Sequence, residues 1–199
     1  MTNTNQRHIQ AVLDLANAQD WAEGKAWYNT AHEAAEHIGS IYGVPTSMAA
    51  GVIAALSPRN HWSRNLIDAE QLISTYVSAG REAAETVKVC TFTNNKVKAL
   101  RILESDGSPS SVRTILSGPK LTEFFNCIMG TDDVCIDGHA YAIWFGQRVV
   151  LANVPSIGVK LRRTIKADYV AVAEATGLKP FEVQAITWTA WRRMHGVVK

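Results

Sequence analysis

The feature that most constrains the fold is an apolar run at residues 48–56, MAAGVIAAL. It is apolar around the whole circumference of a helix and is built largely from small side chains, which indicates a central and buried helix. Thr46 or Ser47 is suited to cap its start, and Ser57 followed by Pro58 predicts its end.

Elsewhere apolar residues recur at helical spacing, and no stretch shows the alternation typical of strands. Residues 7–38 predict two helices with a break near Asp20. Pro180, suited to the first position of a helix, predicts a last helix that reaches Met194. Residues 87–92 are predicted to form a loop, because no partner strand is near. The chain is therefore predicted to be all-α.

Length and composition fit one soluble domain of 199 residues with a net charge of +2. The charge is uneven: residues 1–144 carry 11 Lys/Arg and 15 Asp/Glu, a net of −4, whereas residues 145–199 carry 9 and 3, a net of +6. A basic segment on an acidic body favours nucleic acid as a partner, although a solvated helix face would have the same composition.

Other features narrow the class of protein. The three cysteines predict reduced core thiols and no disulfide framework. The N-terminus is polar, and no apolar run approaches the roughly 20 residues that span a bilayer, so we expect a cytoplasmic protein without membrane contact. His32 and His37 do not share a helix face well, and no metal site is predicted.

The candidate catalytic residue lies in residues 118–144. An apolar run, residues 134–136, leads into Asp137, and a helical pattern opens directly after it. A carboxylate at a helix N-terminus is favoured in its ionised form by unpaired backbone N–H groups, and apolar flanks keep water away. Such a group can stabilise a developing cation. The simpler interpretation is that Asp137 is an N-cap without a catalytic role.

Three segments, in this order, resemble the endonuclease III-like helix-hairpin-helix DNA glycosylases. Residues 54–60, AALSPRN, resemble the family's LLSxQ helix end, and residues 93–103 resemble its NxKAxxI helix. LSGPK at residues 116–120, followed by VCIDGHAYAIW at residues 134–144, resembles its Gly-rich hairpin with a Lys and its catalytic-aspartate segment.

The chain also departs from the family pattern. Its hairpin is shorter than the family's LPGVGxxTA, and Gly138 replaces the usual Thr. Its three cysteines cannot ligate the iron–sulfur cluster of many members, which needs four, and no cofactor is predicted. More loosely, the chain resembles phage-encoded relatives proposed to transfer amino acids or amines onto modified thymines in DNA.

The resemblance implies a single domain, residues 1–199, of two helical lobes with a central cleft. One lobe would span about residues 45–145, with the helix-hairpin-helix at about 111–129, and the N- and C-terminal helices would form the other. The implied partner of this monomer is double-stranded DNA with a modified or damaged base, in the host cytoplasm if the protein is phage-encoded.

A polar and aromatic loop follows the buried helix. In the family this loop fills the gap left by an extruded nucleotide, so the resemblance implies that Arg59, Asn60 and His61 bind DNA. Trp62 is a candidate for the base pocket. An ordinary helix–helix connection is the alternative interpretation.

The hairpin residues carry a second set of hypotheses. A turn containing Gly118 between two short helices exposes backbone N–H groups that can hold a DNA phosphate. Lys120 can neutralise that phosphate, or it can attack the sugar as a catalytic amine if burial beside another cation depresses its pKa.

The basic C-terminal quarter supplies the remaining candidates. Arg162 and Arg163 are predicted to bind DNA. Trp21 and Trp27, near the other end of the chain, are interpreted as core anchors rather than base-stacking platforms. The other predicted base-pocket residues are His139, Trp188, Trp191 and Arg192.

Three functions remain open. The first is a DNA N-glycosylase in which a base is flipped out of the duplex, Asp137 stabilises the cation on the deoxyribose, and water or Lys120 takes the sugar carbon. The second is a phage DNA base-hypermodification transferase that joins an amine or amino acid to an activated pyrimidine. The third is a DNA-binding module without catalysis.

Overall fold

The structure is a computed structural model that describes residues 2–197. Over these residues the chain forms ten α-helices and one 3-10 turn, Leu151–Asn153, with no strand, which confirms the all-α prediction for this part of the chain. The helices are α1 (Thr4–Asp14), α2 (Ala18–Tyr42), α3 (Thr46–Leu56), α4 (Trp62–Thr86), α5 (Thr93–Leu103), α6 (Pro109–Leu116), α7 (Pro119–Ile128), α8 (Gly138–Phe145), α9 (Val159–Thr176) and α10 (Pro180–Met194). They belong to two compact units, unit 1 with residues 2–29 and 130–197, and unit 2 with residues 30–129.

Unit 1 is built around α1, which packs against α8, α9 and α10. Its core is apolar and includes the fully buried Ile9, Ile143 and Tyr169. The buried carboxylate of Asp168 accepts hydrogen bonds from Asn3 Nδ2 at 2.7 Å, Gln6 Nε2 at 2.9 Å and Trp144 Nε1 at 2.7 Å. These bonds tie α9 to the start of α1 and to α8.

A glycine sets the approach of α2 to α10 within unit 1. A Cβ atom added at Gly24 would lie 2.5 Å from the Cα atom and 2.7 Å from the backbone nitrogen of Ile186. Backbone atoms cannot yield as a flexible side chain can, so only glycine permits this contact. The close approach brings Trp27 of α2 against Trp188 of α10, with ring centroids 5.0 Å apart.

Unit 2 is organised around α3, as the apolar run at residues 48–56 predicts. Every residue of α3 after Thr46 is buried, and the helix packs against α4, α5, α6 and α7. Gly51 allows the close contact of α3 with α6, because an added Cβ atom at this position would lie 2.5 Å from Val112 Cγ1. The loop predicted at residues 87–92 is confirmed.

One predicted helix start is wrong. Pro45, and not Thr46 or Ser47, occupies the N-cap of α3, because the buried Ser47 hydroxyl donates instead to the carbonyl of Gly107. The break predicted near Asp20 lies at residues 15–17, between α1 and α2. The side chain of Asp20 accepts from the backbone N–H of Asn17 at 2.9 Å, and the side chain of Asn17 accepts from the backbone N–H of Asp20 at 2.9 Å, so these two bonds cap the start of α2.

Candidate active site

Asp137 is the N-cap of α8, as the sequence predicts. Its backbone is extended, with φ −104° and ψ −174°, and its Oδ1 atom accepts the backbone N–H of Ala140 at 2.8 Å. The residue is half-buried. The hydrogen bond from Ala140 and the extended backbone of Asp137 together fix the direction of the carboxylate at the positive end of the α8 dipole.

The extended segment that leads into Asp137 is held from α9. Residues 134–136 are buried, and Arg162 Nη1 donates to the carbonyl of Ile136 at 3.1 Å. Four residues along α9, Lys166 Nζ lies 2.5 Å from Asp133 Oδ1. Arg162, which was predicted to bind DNA, is partly buried and donates a hydrogen bond to Ile136 within unit 1, whereas the neighbouring Arg163 is exposed.

A stripe of aromatic and basic side chains runs along α10, of which Trp191, a predicted base-pocket residue, is buried in the core of unit 1. Trp188, Trp191, Arg192 and His195 recur at the i, i+3, i+4, i+7 spacing of a single helix face, and we call them the α10 stripe. The Arg192 guanidinium carbon lies 4.3 Å from the centroid of the Trp188 ring, a cation–π contact. Trp27 packs on the same tryptophan, so a tryptophan interpreted as a core anchor contacts a predicted pocket residue.

Electrostatic interactions link the α10 stripe to Asp137. Burial lowers the pKa of Arg192 from its ordinary value, and the Asp137 carboxylate opposes that shift. Burial also raises the pKa of Tyr169, and the charge of Asp137 adds to the increase. The Tyr169 hydroxyl donates to the carbonyl of Ala140 at 3.3 Å, in the first turn of α8. Arg192 and Tyr169 thus both lie within electrostatic reach of Asp137.

His195, at the end of the stripe, is a residue that the sequence analysis missed. Its ring lies edge-on to the Trp191 ring, with ring centroids 4.2 Å apart, and Arg148 Nη2 donates to its backbone carbonyl at 3.5 Å. Burial lowers the pKa of His195, and the positive charges of Arg148 and His139 lower it further. The charges of Asp137 and His139, at the start of α8, thus act on residues of the stripe, and α8 packs against α10.

In unit 2, the loop between α3 and α4 is fixed by a buried carboxylate. Asp68 is fully buried and accepts from Asn60 Nδ2 at 3.0 Å, from the backbone N–H of Cys90 at 2.7 Å and from Arg64 Nε at 2.6 Å. The Asn60 amide, predicted to contact DNA, is thus engaged in holding the loop. His61 is exposed at the N-cap of α4.

Arg59 projects from this loop and contacts an exposed aromatic ring. Its φ of +59° places it in the left-handed region that disfavours side chains. Its guanidinium carbon lies 5.3 Å from the ring centroid of Phe92, a side chain that is 49% exposed. Trp62, which lacks an apolar neighbour in the sequence, packs edge-on against Phe124 with ring centroids 6.4 Å apart.

The turn between α6 and α7 also contains a residue in the left-handed region. Ser117 has φ +52°, Gly118 is the extended N-cap of α7, and Pro119 takes the first helical position. Lys120 follows and is exposed. The Lys98 ammonium donates to the carbonyl of Leu116 at 2.6 Å, which fixes the end of α6.

The structure brings one predicted set together and places the others elsewhere. Asp137, His139 and the predicted residues of the α10 stripe lie in unit 1, where α8 packs against α10, and Lys120 lies in unit 2. Phe92 and His195 were missed, and the contact of Trp27 with Trp188 was not predicted. Helical spacing from Trp188 extends to His195, so periodicity could have found it, but the contacts of Trp27 and Phe92 join residues distant in sequence.

No group of three or more His, Cys, Asp or Glu within residues 2–197 could hold a metal ion. No single described helix is both long and apolar enough to cross a membrane. Helices α2 and α3 reach that length and apolar composition only together, as a pair bent by 118°.

Over residues 2–197, fold and site together define an all-α protein in which a carboxylate caps α8 and that helix packs against α10, which carries aromatic and basic side chains. The chain belongs to a family of unknown function, DUF7178, whose model matches residues 1–195. Neither the curated proteins nor the solved structures contain a significant match to it.

Proposed function

We propose that this protein is a DNA base-processing enzyme, an N-glycosylase that excises a modified or damaged base with Asp137. The observation that carries the proposal is the packing of α8, which Asp137 caps, against α10 inside unit 1, with Arg192 within electrostatic reach of Asp137. A half-buried carboxylate, the partly exposed Trp188 and a guanidinium would supply an anion for a cationic sugar and planar groups for a base.

The carboxylate would act on the sugar. As the N-glycosidic bond stretches, positive charge develops on the deoxyribose, and an anion near it lowers the barrier. At an effective dielectric constant of about 20, a carboxylate about 4 Å from that charge contributes on the order of 4 kcal/mol, or roughly a thousandfold in rate. The α8 cap bond supports this role, because it fixes the carboxylate before substrate arrives.

The base would bind against the α10 stripe. Stacking of a base on an aromatic ring contributes about 1–3 kcal/mol, and a guanidinium offers paired donors to carbonyl and ring-nitrogen acceptors on a base edge. The Arg192 guanidinium lies over the Trp188 ring, 4.3 Å from its centroid, so it would move aside for a base to stack on that face.

The α6–α7 turn would bind the DNA backbone as a helix-hairpin-helix. Gly118 at the N-cap of α7 leaves backbone N–H groups at a helix start, where a phosphate is favoured. The exposed Lys120 at this helix start would add a phosphate contact; the alternative is that it acts as the nucleophile on the sugar. Arg163, exposed on α9, would be a further phosphate contact.

The loop between α3 and α4 would enter the duplex. Arg59 and Phe92 form an exposed cation–π pair of planar groups, and planar groups can replace the stacking that a flipped nucleotide leaves behind. His61 is exposed beside them. Asn60 would serve by holding the loop through Asp68.

The test is base release by Asp137→Asn. Asn is as good an N-cap as Asp, so α8 should keep its start while the negative charge is lost. On a panel of duplexes with normal, damaged and phage-modified bases, we expect wild type to release one class of base and the variant to lose about a thousandfold in rate while still binding duplex. Asp132→Asn, an exposed neighbour, is the matched control. Full base release by Asp137→Asn would remove the proposed mechanism.

The second candidate is the transfer of an amine or amino acid to an activated pyrimidine. The observation in its favour is Arg192, a partly buried cation within electrostatic reach of Asp137. A guanidinium can hold an anionic leaving group while a carboxylate holds the incoming amine. Product masses separate the two reactions, because transfer gives a heavier intact nucleoside and excision gives free base and an abasic site.

Salt-sensitive duplex binding with no covalent change on any duplex would instead indicate a DNA-binding module.

A further inference from the structure

Two hydrogen bonds fix Asp137 relative to its own helix. Its Oδ1 atom accepts the backbone N–H of Ala140 at 2.8 Å, and its backbone carbonyl accepts that of Tyr141 at 3.0 Å. Both donors belong to α8. Residues 131–136, which precede Asp137, lie outside the helices. The contacts that hold this segment therefore fix the chain on the other side of Asp137.

Three side chains of α9 contact the chain around Asp137. They follow the i, i+4, i+7 spacing of one helix face, and we call them the α9 clamp: Arg162, Lys166 and Tyr169. Arg162 Nη1 donates to the carbonyl of Ile136 at 3.1 Å, and Lys166 Nζ lies 2.5 Å from Asp133 Oδ1. These two bonds hold the segment before Asp137.

The third member of the α9 clamp acts on the other side. The hydroxyl of Tyr169, which is fully buried, donates to the carbonyl of Ala140 at 3.3 Å, in the first turn of α8. Asp137 thus lies between two pieces of chain that are attached to the same face of α9.

Arg162 acts nearest to the carboxylate. Its acceptor is the carbonyl of the peptide bond that joins Ile136 to Asp137. Because a peptide bond is planar, holding that oxygen also holds the backbone nitrogen of Asp137. The freedom that remains is rotation within Asp137, and the hydrogen bond from Ala140 to the carboxylate limits it.

Arg162 and Lys166 are placed to hold this segment. The Nη1 atom of Arg162 donates to Ile136, and its Nε atom is buried. The side chains of Lys166 and Asp133 are 30% and 19% exposed, and ion pairs in contact with water contribute little to stability. A directed carboxylate gives the two cations a specific role, because misplacing a reacting group by about 1 Å can cost about a hundredfold in rate.

We propose that Arg162 is a positioning residue, which directs the Asp137 carboxylate through the peptide bond between Ile136 and Asp137. Lys166 supports it through Asp133. The inference rests on the proposed function, in which the carboxylate must face the sugar. Arg162 itself touches neither the sugar nor the base, so its loss changes the reaction only through Asp137.

The first arm of the test does not require turnover. Amide hydrogen exchange of Ala140 is measured by NMR in wild type and in Arg162→Met, which keeps an apolar stem without the donor. Asp137→Ala, which has no acceptor, marks full loss of the cap bond. We expect exchange at Ala140 to be about tenfold faster in Arg162→Met and unchanged at Ile143, a buried residue of the same helix.

The control for this arm is Lys160→Met, which removes an exposed cation from the first turn of α9. It should leave exchange at Ala140 as in wild type. An unchanged rate at Ala140 in Arg162→Met overturns the inference. An equal increase at Ala140 and Ile143 also overturns it, because it would mark a general loss of stability.

The second arm separates rate from affinity. Single-turnover base release at saturating duplex should be about 10–100-fold slower in Arg162→Met, with an unchanged Kd for duplex. Adding Arg162→Met to Asp137→Asn should slow the reaction no further, because the arginine acts through that carboxylate. A weaker Kd, or a loss that adds to that of Asp137→Asn, would mean that Arg162 contacts DNA directly and would overturn the inference.

A second variant covers the case in which Arg162→Met does not fold. Lys166→Met removes the other, partly exposed cation and should speed exchange at Ala140 by about threefold, again without a change at Ile143. An unchanged exchange rate at Ala140 in this variant counts against the α9 clamp. If wild type releases no base from any duplex, the proposed function fails, and the exchange measurements still decide whether α9 directs Asp137.

Discussion

At the scale of single residues, backbone strain marks the loops that the proposed function uses. Among the described residues, two that are not glycine have a positive φ, Arg59 and Ser117. One lies in the loop after α3 and the other in the turn between α6 and α7, the two segments that we propose contact DNA. A side chain in the left-handed region costs about 1–2 kcal/mol, and such strain is often kept at ligand-binding sites.

Arg59→Gly should therefore stabilise the protein and weaken its binding to DNA. Glycine relieves the strain at φ +59° but removes the guanidinium stacked on Phe92. We expect a rise in Tm of about 2–4 °C, corresponding to about 1 kcal/mol, and a several-fold weaker Kd for duplex. Calorimetry and fluorescence anisotropy measure the two effects. Arg101→Gln, which removes an exposed charge from α5, is the control. If Arg59→Gly is more stable than wild type and binds duplex with the same affinity, the strained backbone at Arg59 has no role in DNA binding.

At the scale of helices, much of the architecture follows from local sequence. The uniformly apolar residues 48–56 predict the buried α3, Pro180 predicts the start of α10, and the apolar run before Asp137 predicts the start of α8. Each prediction holds because its cause lies within one helix turn or one helix face. The Ser47 cap fails because a carbonyl 60 residues away competes for that hydroxyl. The contacts of Trp27 with Trp188 and of Phe92 with Arg59 were not predicted for the same reason, since their partners are distant in sequence.

Gly24→Ala tests the contact that assembles one side of the site. The new methyl group would collide with the backbone of Ile186, and α2 and α10 would have to separate. We expect a loss of about 1–3 kcal/mol in the free energy of unfolding, measured in urea, together with a change in tryptophan fluorescence as Trp27 parts from Trp188. Gly158→Ala, where the added Cβ atom meets nothing within 4 Å, should leave the tryptophan fluorescence unchanged. A Gly24→Ala variant as stable as wild type would mean that the two helices can shift without cost.

At the scale of the whole molecule, His195 links the site to the pH dependence of folding. The pKa of His195 is lowered in the folded protein from its ordinary value of 6.5. Between that lowered value and about 6.5, the unfolded chain binds more protons than the folded one, so stability rises with pH across this window and falls as the solution becomes more acidic.

His195→Gln should remove this contribution. The difference in the free energy of unfolding between wild type and His195→Gln is expected to grow in favour of the variant as pH falls below about 6.5 and to be constant above pH 7. Urea denaturation at half-unit pH steps measures it. A difference that is the same at pH 5 and pH 7 would mean that the His195 imidazole titrates alike in the folded and unfolded chain.

The central claim is that Asp137 faces a positive charge on the sugar, and affinity for a cationic sugar mimic tests it most directly. Two duplexes are compared, one with a protonated pyrrolidine in place of one deoxyribose and one with the neutral tetrahydrofuran analogue. We predict that wild type binds the cationic duplex at least about tenfold more tightly and that Asp137→Asn binds the two nearly equally. Equal affinity of wild type for both duplexes, or a preference that survives in Asp137→Asn, would contradict the account.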